Sequence, residues 1–302
     1  MKKALLFVFL FLLLVLGLEA YKHQMGTYTS YYSLSEVSPS EIANITLNNS
    51  LRANHFVKCS FHVDVGSAGN GYYVYFIIIN GSFKINVTLE GVAREYKCVP
   101  SGVILYSYYL SDYWGKTHVF YCSYNKKTWN LTFPSITKPI YYLNSSVIFL
   151  KQGNEELNVK PCLYWVDLKT GALSRKICLQ EKHGATVGAV KFLGGKIYLA
   201  TSTGHVYLVE GSEVRRAYFD SIWGITVGAK LKLDVSEKYV AVVYSFVNVE
   251  GKEKNGLCIF TSSLKKIACK SLKEEPQAVR IYGNTVYLQV GGKVKAYRIL
   301  GL

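Results

Sequence analysis

An all-β fold is predicted by three features of the sequence. Short β-patterned runs come in pairs separated by turns, often with Gly. The second strand of each unit, the first run of each pair, begins near residues 55, 103, 146, 196, 238 and 285, so the unit repeats every forty to fifty residues. The last unit ends at Leu302 directly after its third run, while an alternating run, Thr27–Ser33, stands unassigned near the other end. A four-stranded sheet has two apolar faces and cannot cover both alone; stacking such sheets radially covers them. The prediction is a six-bladed β-propeller closed by an N-terminal strand, spanning residues 21–302. Two tandem β-sandwich domains joined near residue 150 are the alternative.

In chain order, Met1-Lys2-Lys3 is a basic start, Ala4–Leu18 is an almost unbroken apolar run, and Glu19-Ala20 precedes polar residues. This is the layout of a secretory signal over 1–20, cleaved after Ala20. The run falls short of the roughly twenty residues that span a bilayer. An uncleaved anchor is the alternative, favoured by Leu18, a poor fit three residues before the cut. Thr27–Ser33 is then expected to be the outer strand of the sixth blade. His55–His62 and Tyr72–Ile79 read as strands of the first blade, and Val103–Tyr109 and Thr117–Cys122 as strands of the second. Ser146–Leu150 with Cys162–Asp167 forms the third pair. The clearest pairs follow: Lys196–Gly204 with His205–Gly211, Lys238–Tyr244 with Gly256–Phe260, and Thr285–Gly291 with Lys293–Ile299. Each of these three is preceded by a shorter apolar run, Ala189–Leu193, Ala229–Leu233 and Ala278–Tyr282.

Composition narrows the compartment. Half of the 302 residues are hydrophobic and only 18% are charged, which excludes a disordered chain. Asn-x-Ser/Thr triplets occur at Asn44, Asn48, Asn80, Asn86, Asn130 and Asn144, where roughly two are due by chance. All six precede residue 150. Charge divides there too: residues 21–150 carry a net +4 and residues 151–302 a net +10. The expectation is a secreted or cell-surface glycoprotein, glycosylated within 21–150 and basic over 151–302. A basic surface favours acidic partners such as anionic glycans or lipid head groups. Nucleic acid is not an expected partner outside the cell, and membrane contact is expected only through an uncleaved signal. Low charge and 25 tyrosines with 2 methionines resemble the composition of archaeal surface proteins.

One hairpin carries a family resemblance. Tyr164-Trp-Val-Asp-Leu-Lys-Thr-Gly-Ala-Leu173 resembles the outer-hairpin turn of quinoprotein-type (PQQ-like) propeller repeats, in which Asp-x-x-Thr-Gly closes the turn. Asp167 can accept turn amides and Gly171 can take a positive φ. Gly195–Tyr207 is similar to the second-to-third strand segment of those repeats. The resemblance covers about two of six units and implies the fold. The family's enzymes have tryptophan docking motifs and a cofactor pocket with metal ligands; no repeated docking motif occurs here, so activity is not carried over, and no cofactor is expected.

Export permits disulfides. Cys162 and Cys178 flank the Asp167–Gly171 turn almost symmetrically, and Cys258 and Cys269 flank Thr261–Leu264 in the same way. Across two antiparallel strands such pairs sit opposite, at bridging distance. Cys59, Cys98 and Cys122 can make at most one further bridge. No Cys-x-x-Cys is present, and Cys59-x-x-His62 is a weak half-motif, so no metal site is expected.

No P-loop, dinucleotide fingerprint, His-Glu-x-x-His or Gly-x-Ser-x-Gly occurs. No catalytic residue is selected: Glu155-Glu156 and Glu274-Glu275 adjoin polar loop residues, and the six histidines are scattered. The tyrosines read mostly as half-buried strand residues, some of them suited to a sugar-binding surface. The expected function is a non-enzymatic binding or scaffold protein of the cell surface with a protein or glycan partner. The alternative is an exported hydrolase or quinoprotein-like oxidoreductase using the central channel.

Overall fold

The computed structural model describes residues 32–38, 56–81, 83–109, 115–143, 145–182, 184–221 and 226–301. The expected leader, residues 1–20, lies outside them.

Strand β1 (Tyr32–Glu36) comes first. Then follow β2 (His62–Ala68), β3 (Tyr73–Asn80) and β4 (Phe83–Glu90), a three-stranded sheet. Next are β5 (Glu95–Val99), β6 (Gly102–Ser107), β7 (Lys116–Ser123) and β8 (Thr128–Pro134), and then β9 (Thr137–Leu143), β10 (Ser146–Lys151), β11 (Cys162–Asp167) and β12 (Leu173–Cys178). Each of these sets of four is one antiparallel sheet in sequence order. The three sheets form a compact unit over Ser50–Thr186. A second unit holds β13 (Val187–Leu193), β14 (Lys196–Thr201), β15 (His205–Glu210) and β16 (Glu213–Tyr218), then β17 (Thr226–Val235), β18 (Tyr239–Asn248), β19 (Glu253–Thr261) and β20 (Lys266–Leu272), and last β21 (Pro276–Tyr282), β22 (Thr285–Val290) and β23 (Lys293–Gly301). The last sheet is completed by β1, in the order β1-β23-β22-β21.

The fold class is the six-bladed β-propeller, and the packing of the middle blade in each unit shows why these are not sandwiches. On β6, Val103 and Leu105 pack with Val74, Phe76 and Ile78 of β3, while Ile104 and Tyr106 pack with Val147, Phe149 and Tyr164 of the next sheet. On β18, Val240, Val242 and Phe246 join Tyr198, Val206 and Leu208, while Ala241 and Val243 join Val279, Val286 and Leu288. Successive side chains point to opposite faces, and here both faces are dry. A sandwich strand would leave every second side chain to solvent. This is why the sequence of these strands is a continuous apolar run. Each such Val, Leu, Ile or Phe contributes roughly 1.5–3 kcal/mol on burial.

The expected terminal strand is met at Tyr32 and Ser33: the described strand runs Tyr32–Glu36 on the edge of the last sheet, and residues 27–31 lie outside the described ones. Leu34 packs into the cluster of Val279, Ile281 and Ile299, and Val37 is buried. One strand expectation is corrected. In the first blade, His55–His62 is not the second strand. Val57 makes one isolated bridge to Cys98, and His62 opens β2.

Candidate functional site

The Ser50–Thr186 unit holds a cleft of about 540 Å³ between its second and third sheets. Its walls are hairpin turns: Ser101 from the β5–β6 turn, Tyr124, Asn125 and Lys127 around the β7–β8 turn, Ser145 before β10, and Leu168 and Lys169 after β11. Such turns must stay wet, because their backbone groups are not all paired within the ladder.

The floor is fixed by aromatic packing. The Tyr121 hydroxyl donates to Ser101 Oγ at 2.9 Å. Tyr121 stacks on Trp129 at 5.2 Å between centroids, and the Trp129 indole N–H donates to the Leu168 carbonyl at 2.9 Å. Tyr124 lies flat on Phe61 at 4.5 Å and hydrogen-bonds Ser60 Oγ. Its turn is tied down by Tyr124 N–H to the Ser101 carbonyl (3.1 Å) and Lys127 N–H to Ser123 Oγ (2.9 Å).

The Asp167 turn forms the other wall. Asp167 Oδ1 accepts from the Thr170 amide (2.9 Å) and hydroxyl (2.8 Å), and Gly171 N–H donates to the Asp167 carbonyl at 2.8 Å. Those hydrogen bonds, the Thr170 hydroxyl first, hold the Asp167 carboxyl below its ordinary value. Gly171 has φ +72°, and the Trp129 ring sits where its Cβ would be. Lys127 and Lys169 are both exposed. No Asp or Glu is among the lining residues, though the Asp167 carboxylate of the same turn feels the charge of Lys169. The arrangement offers two ammonium groups, several hydroxyls and tyrosine rings: it can hold an anion and stack or hydrogen-bond a polyhydroxylated neighbour.

A second constellation lies on inner strands of the same unit. Glu95 on β5 accepts from the hydroxyls of Tyr106 (2.7 Å) and Tyr108 (2.6 Å) and from Lys138 Nζ of β9 (2.9 Å). Burial pushes the Glu95 carboxyl up, but these donors outweigh it and leave it below the usual carboxylate range. Burial and the adjoining carboxylate push the Tyr106 hydroxyl strongly up. In the other unit, Asp234 of β17 lies 3.5 Å from Lys191 of β13 and 3.6 Å from Arg280 of β21, joining the first strands of three sheets.

Of the residues singled out in the sequence, Asn80, Asn86 and Asn130 are exposed; Asn44, Asn48 and Asn144 lie outside the described residues. Cys162 pairs with Cys178 and Cys258 with Cys269, each opposite across a hairpin, at Cα separations of 3.9 and 4.1 Å. A third bridge joins Cys59 to Cys98, and Cys122 is free and buried. Among the described residues no three His, Cys, Asp or Glu side chains group as a metal would need. The cleft lysines and the Glu95 cluster were not singled out from the sequence. Tyr106 and Tyr108 share one strand face by their spacing, a legible signal, but their common partner depends on a register between strands.

The sequence matches no protein-family model and no curated protein. Similar solved structures include BamB from Moraxella catarrhalis, 11% identical over 79% of this chain and 82% of that one, TM-score 0.35. The β-propeller domain of the Trilobed protease from Pyrococcus furiosus is 10% identical over 90% and 85%, TM-score 0.43. Saccharomyces cerevisiae Sqt1 is 9% identical over 80% and 72%, TM-score 0.45. The Asp167–Gly171 hairpin has the turn geometry that the resemblance to PQQ-like repeats implies.

Proposed function

We propose that this is an exported, glycosylated, non-enzymatic binding protein of the cell surface, and that the cleft between its second and third blades takes an acidic, hydroxyl-rich partner such as an anionic glycan. The observation that carries the reading is the pair of exposed lysines, Lys127 and Lys169, beside a tyrosine- and serine-lined cleft with no Asp or Glu among its lining residues. The apolar leader, the sequon excess and three disulfides support export. The ion pairs that engage Glu95 and Asp234 support a structural role for the inner strands.

The test is a titration against heparin as an acidic polysaccharide and dextran as a neutral one. The expected result is heparin binding that weakens with salt and falls about tenfold in the Lys127→Ser/Lys169→Ser double variant, about 1.4 kcal/mol, with little binding of dextran. Equal heparin binding by the double variant, or equal binding of both polymers, contradicts the site.

A further inference from the structure

Five of the six described sheets end on an outer strand with exposed charge: Glu36 on β1, Lys84 and Glu90 on β4, Lys176 on β12, Arg215 and Arg216 on β16, and Lys270 on β20. Charge on an edge keeps foreign strands from pairing with its open backbone groups. Strand β8, Thr128-Trp-Asn-Leu-Thr-Phe-Pro134, is the outer strand of the second sheet and carries no charge. Its proline blocks only the last position. The rest of this edge needs another cover.

Beside β8 lies a cleft of about 380 Å³, and every residue that lines it belongs to the Ser50–Thr186 unit. Leu89 and Glu90 of β4 form one wall; His118 of β7 with Asn130 and Thr132 of β8 forms the other. Register explains this lining. Thr132 stands opposite His118, and Asn130 stands opposite Phe120. Phe120 packs with Leu89 and Phe76 of the first sheet, so by alternation all four side chains turn toward that sheet. The polar groups are linked. His118 Nδ1 is hydrogen-bonded to the Thr132 hydroxyl at 3.3 Å, and its Nε2 lies 3.5 Å from one Glu90 carboxylate oxygen. The other Glu90 oxygen accepts from the Tyr109 hydroxyl at 3.5 Å.

The modification signal stands in this cleft. Asn130-Leu-Thr132 is a sequon, its Asn and Thr both line the cleft, and both are exposed. A sugar joined to the Asn130 amide nitrogen therefore begins at the cleft wall. The volume is at the small end of ligand sites, about 300–1,000 Å³. A carboxylate, an imidazole and a hydroxyl can pair with sugar hydroxyls, and Leu89 can take an apolar C–H face. We propose that Asn130 carries an N-linked glycan whose first sugar seats in this cleft against Glu90, His118 and Leu89, so that the chain's own sugar covers the uncharged edge of β8. This deepens the reading of the chain as an exported glycoprotein and rests on it.

The experiment compares protein secreted from a glycosylating host with its Asn130→Gln variant, and both with wild-type protein from a non-glycosylating host. Glycopeptide mass spectrometry reads occupancy at Asn130, Asn80 and Asn86. Diethyl pyrocarbonate labelling reads access to the His118 imidazole, 24% exposed, with His62, 71% exposed, as the internal control. The expected result is an occupied Asn130, and His118 labelling that rises several-fold in the variant and in the unglycosylated protein while His62 stays constant. An occupied Asn130 with His118 labelled equally in all three proteins overturns this inference and leaves the glycoprotein reading standing. A bare Asn130 beside modified Asn80 or Asn86 does the same. A rise in the variant alone is an effect of the substitution and also overturns the seating. No modified Asn anywhere overturns both.

Discussion

Glu95 shows how a half-exposed carboxylate becomes a fixture of an inner strand. Two tyrosine hydroxyls and an ammonium surround it, and its carboxyl titrates below the ordinary value. A depressed carboxylate stabilises the fold above its unfolded value, and that contribution is lost as pH falls through the folded value. Glu95→Gln is therefore expected to cost about 1 kcal/mol at neutral pH, kept small because the pair is partly exposed and screened. The stability loss between neutral and acid pH should be shallower in the variant. Urea titrations at pH 7 and pH 3 check this; parallel pH profiles for both proteins contradict it. Single residues were legible where the chemistry is local. Asp167, Thr170 and Gly171 lie within five positions, and their turn could be read from hydrogen-bonding capacity and glycine's φ. That the Trp129 ring fills the space above Gly171 could not, because Trp129 comes from the neighbouring sheet.

At the level of strands, the legible ones are those with both faces buried. The second strands begin at Gly102, Ser146, Lys196, Tyr239 and Thr285, within one residue of the sequence expectation, because double burial writes an uninterrupted apolar run. The failure is an edge segment, whose pairing is decided by partners elsewhere in the chain. At the other edge, Tyr32–Glu36 is held by Leu34 and Val37. His55–His62 has strand-like alternation, but Cys59 is bridged to Cys98, and Val57 pairs there by a single bridge. The terminal pairing has a direct consequence. Val37 N–H donates to the Ala296 carbonyl, so by alternation Leu34–Ile299 is a non-hydrogen-bonded pair, the closer kind that suits a disulfide. The Leu34→Cys/Ile299→Cys variant is expected to cross-link on export. The bond would be seen as two fewer alkylatable thiols than in the reduced protein and a faster non-reduced band. Two free thiols at those positions would place the strand in another register.

For the whole molecule, sequence and structure meet on the logic of burial: in each unit the middle sheet has both faces covered by its neighbours. What the sequence could not supply was the cleft, because Ser101, Tyr124, Ser145 and Lys169 come from four turns brought together only by stacking. The expectation of export comes from the sequence, through a leader-like apolar run, six sequons before residue 150 and cysteines placed across hairpins. Export and modification underlie the binding reading. Peptide mapping of the protein recovered outside a glycosylating cell tests them most directly. The account expects a chain beginning at Tyr21, with sugars on asparagines of the first half alone. A chain that still begins at Met1 and stays inside the cell, with every asparagine bare, would contradict it.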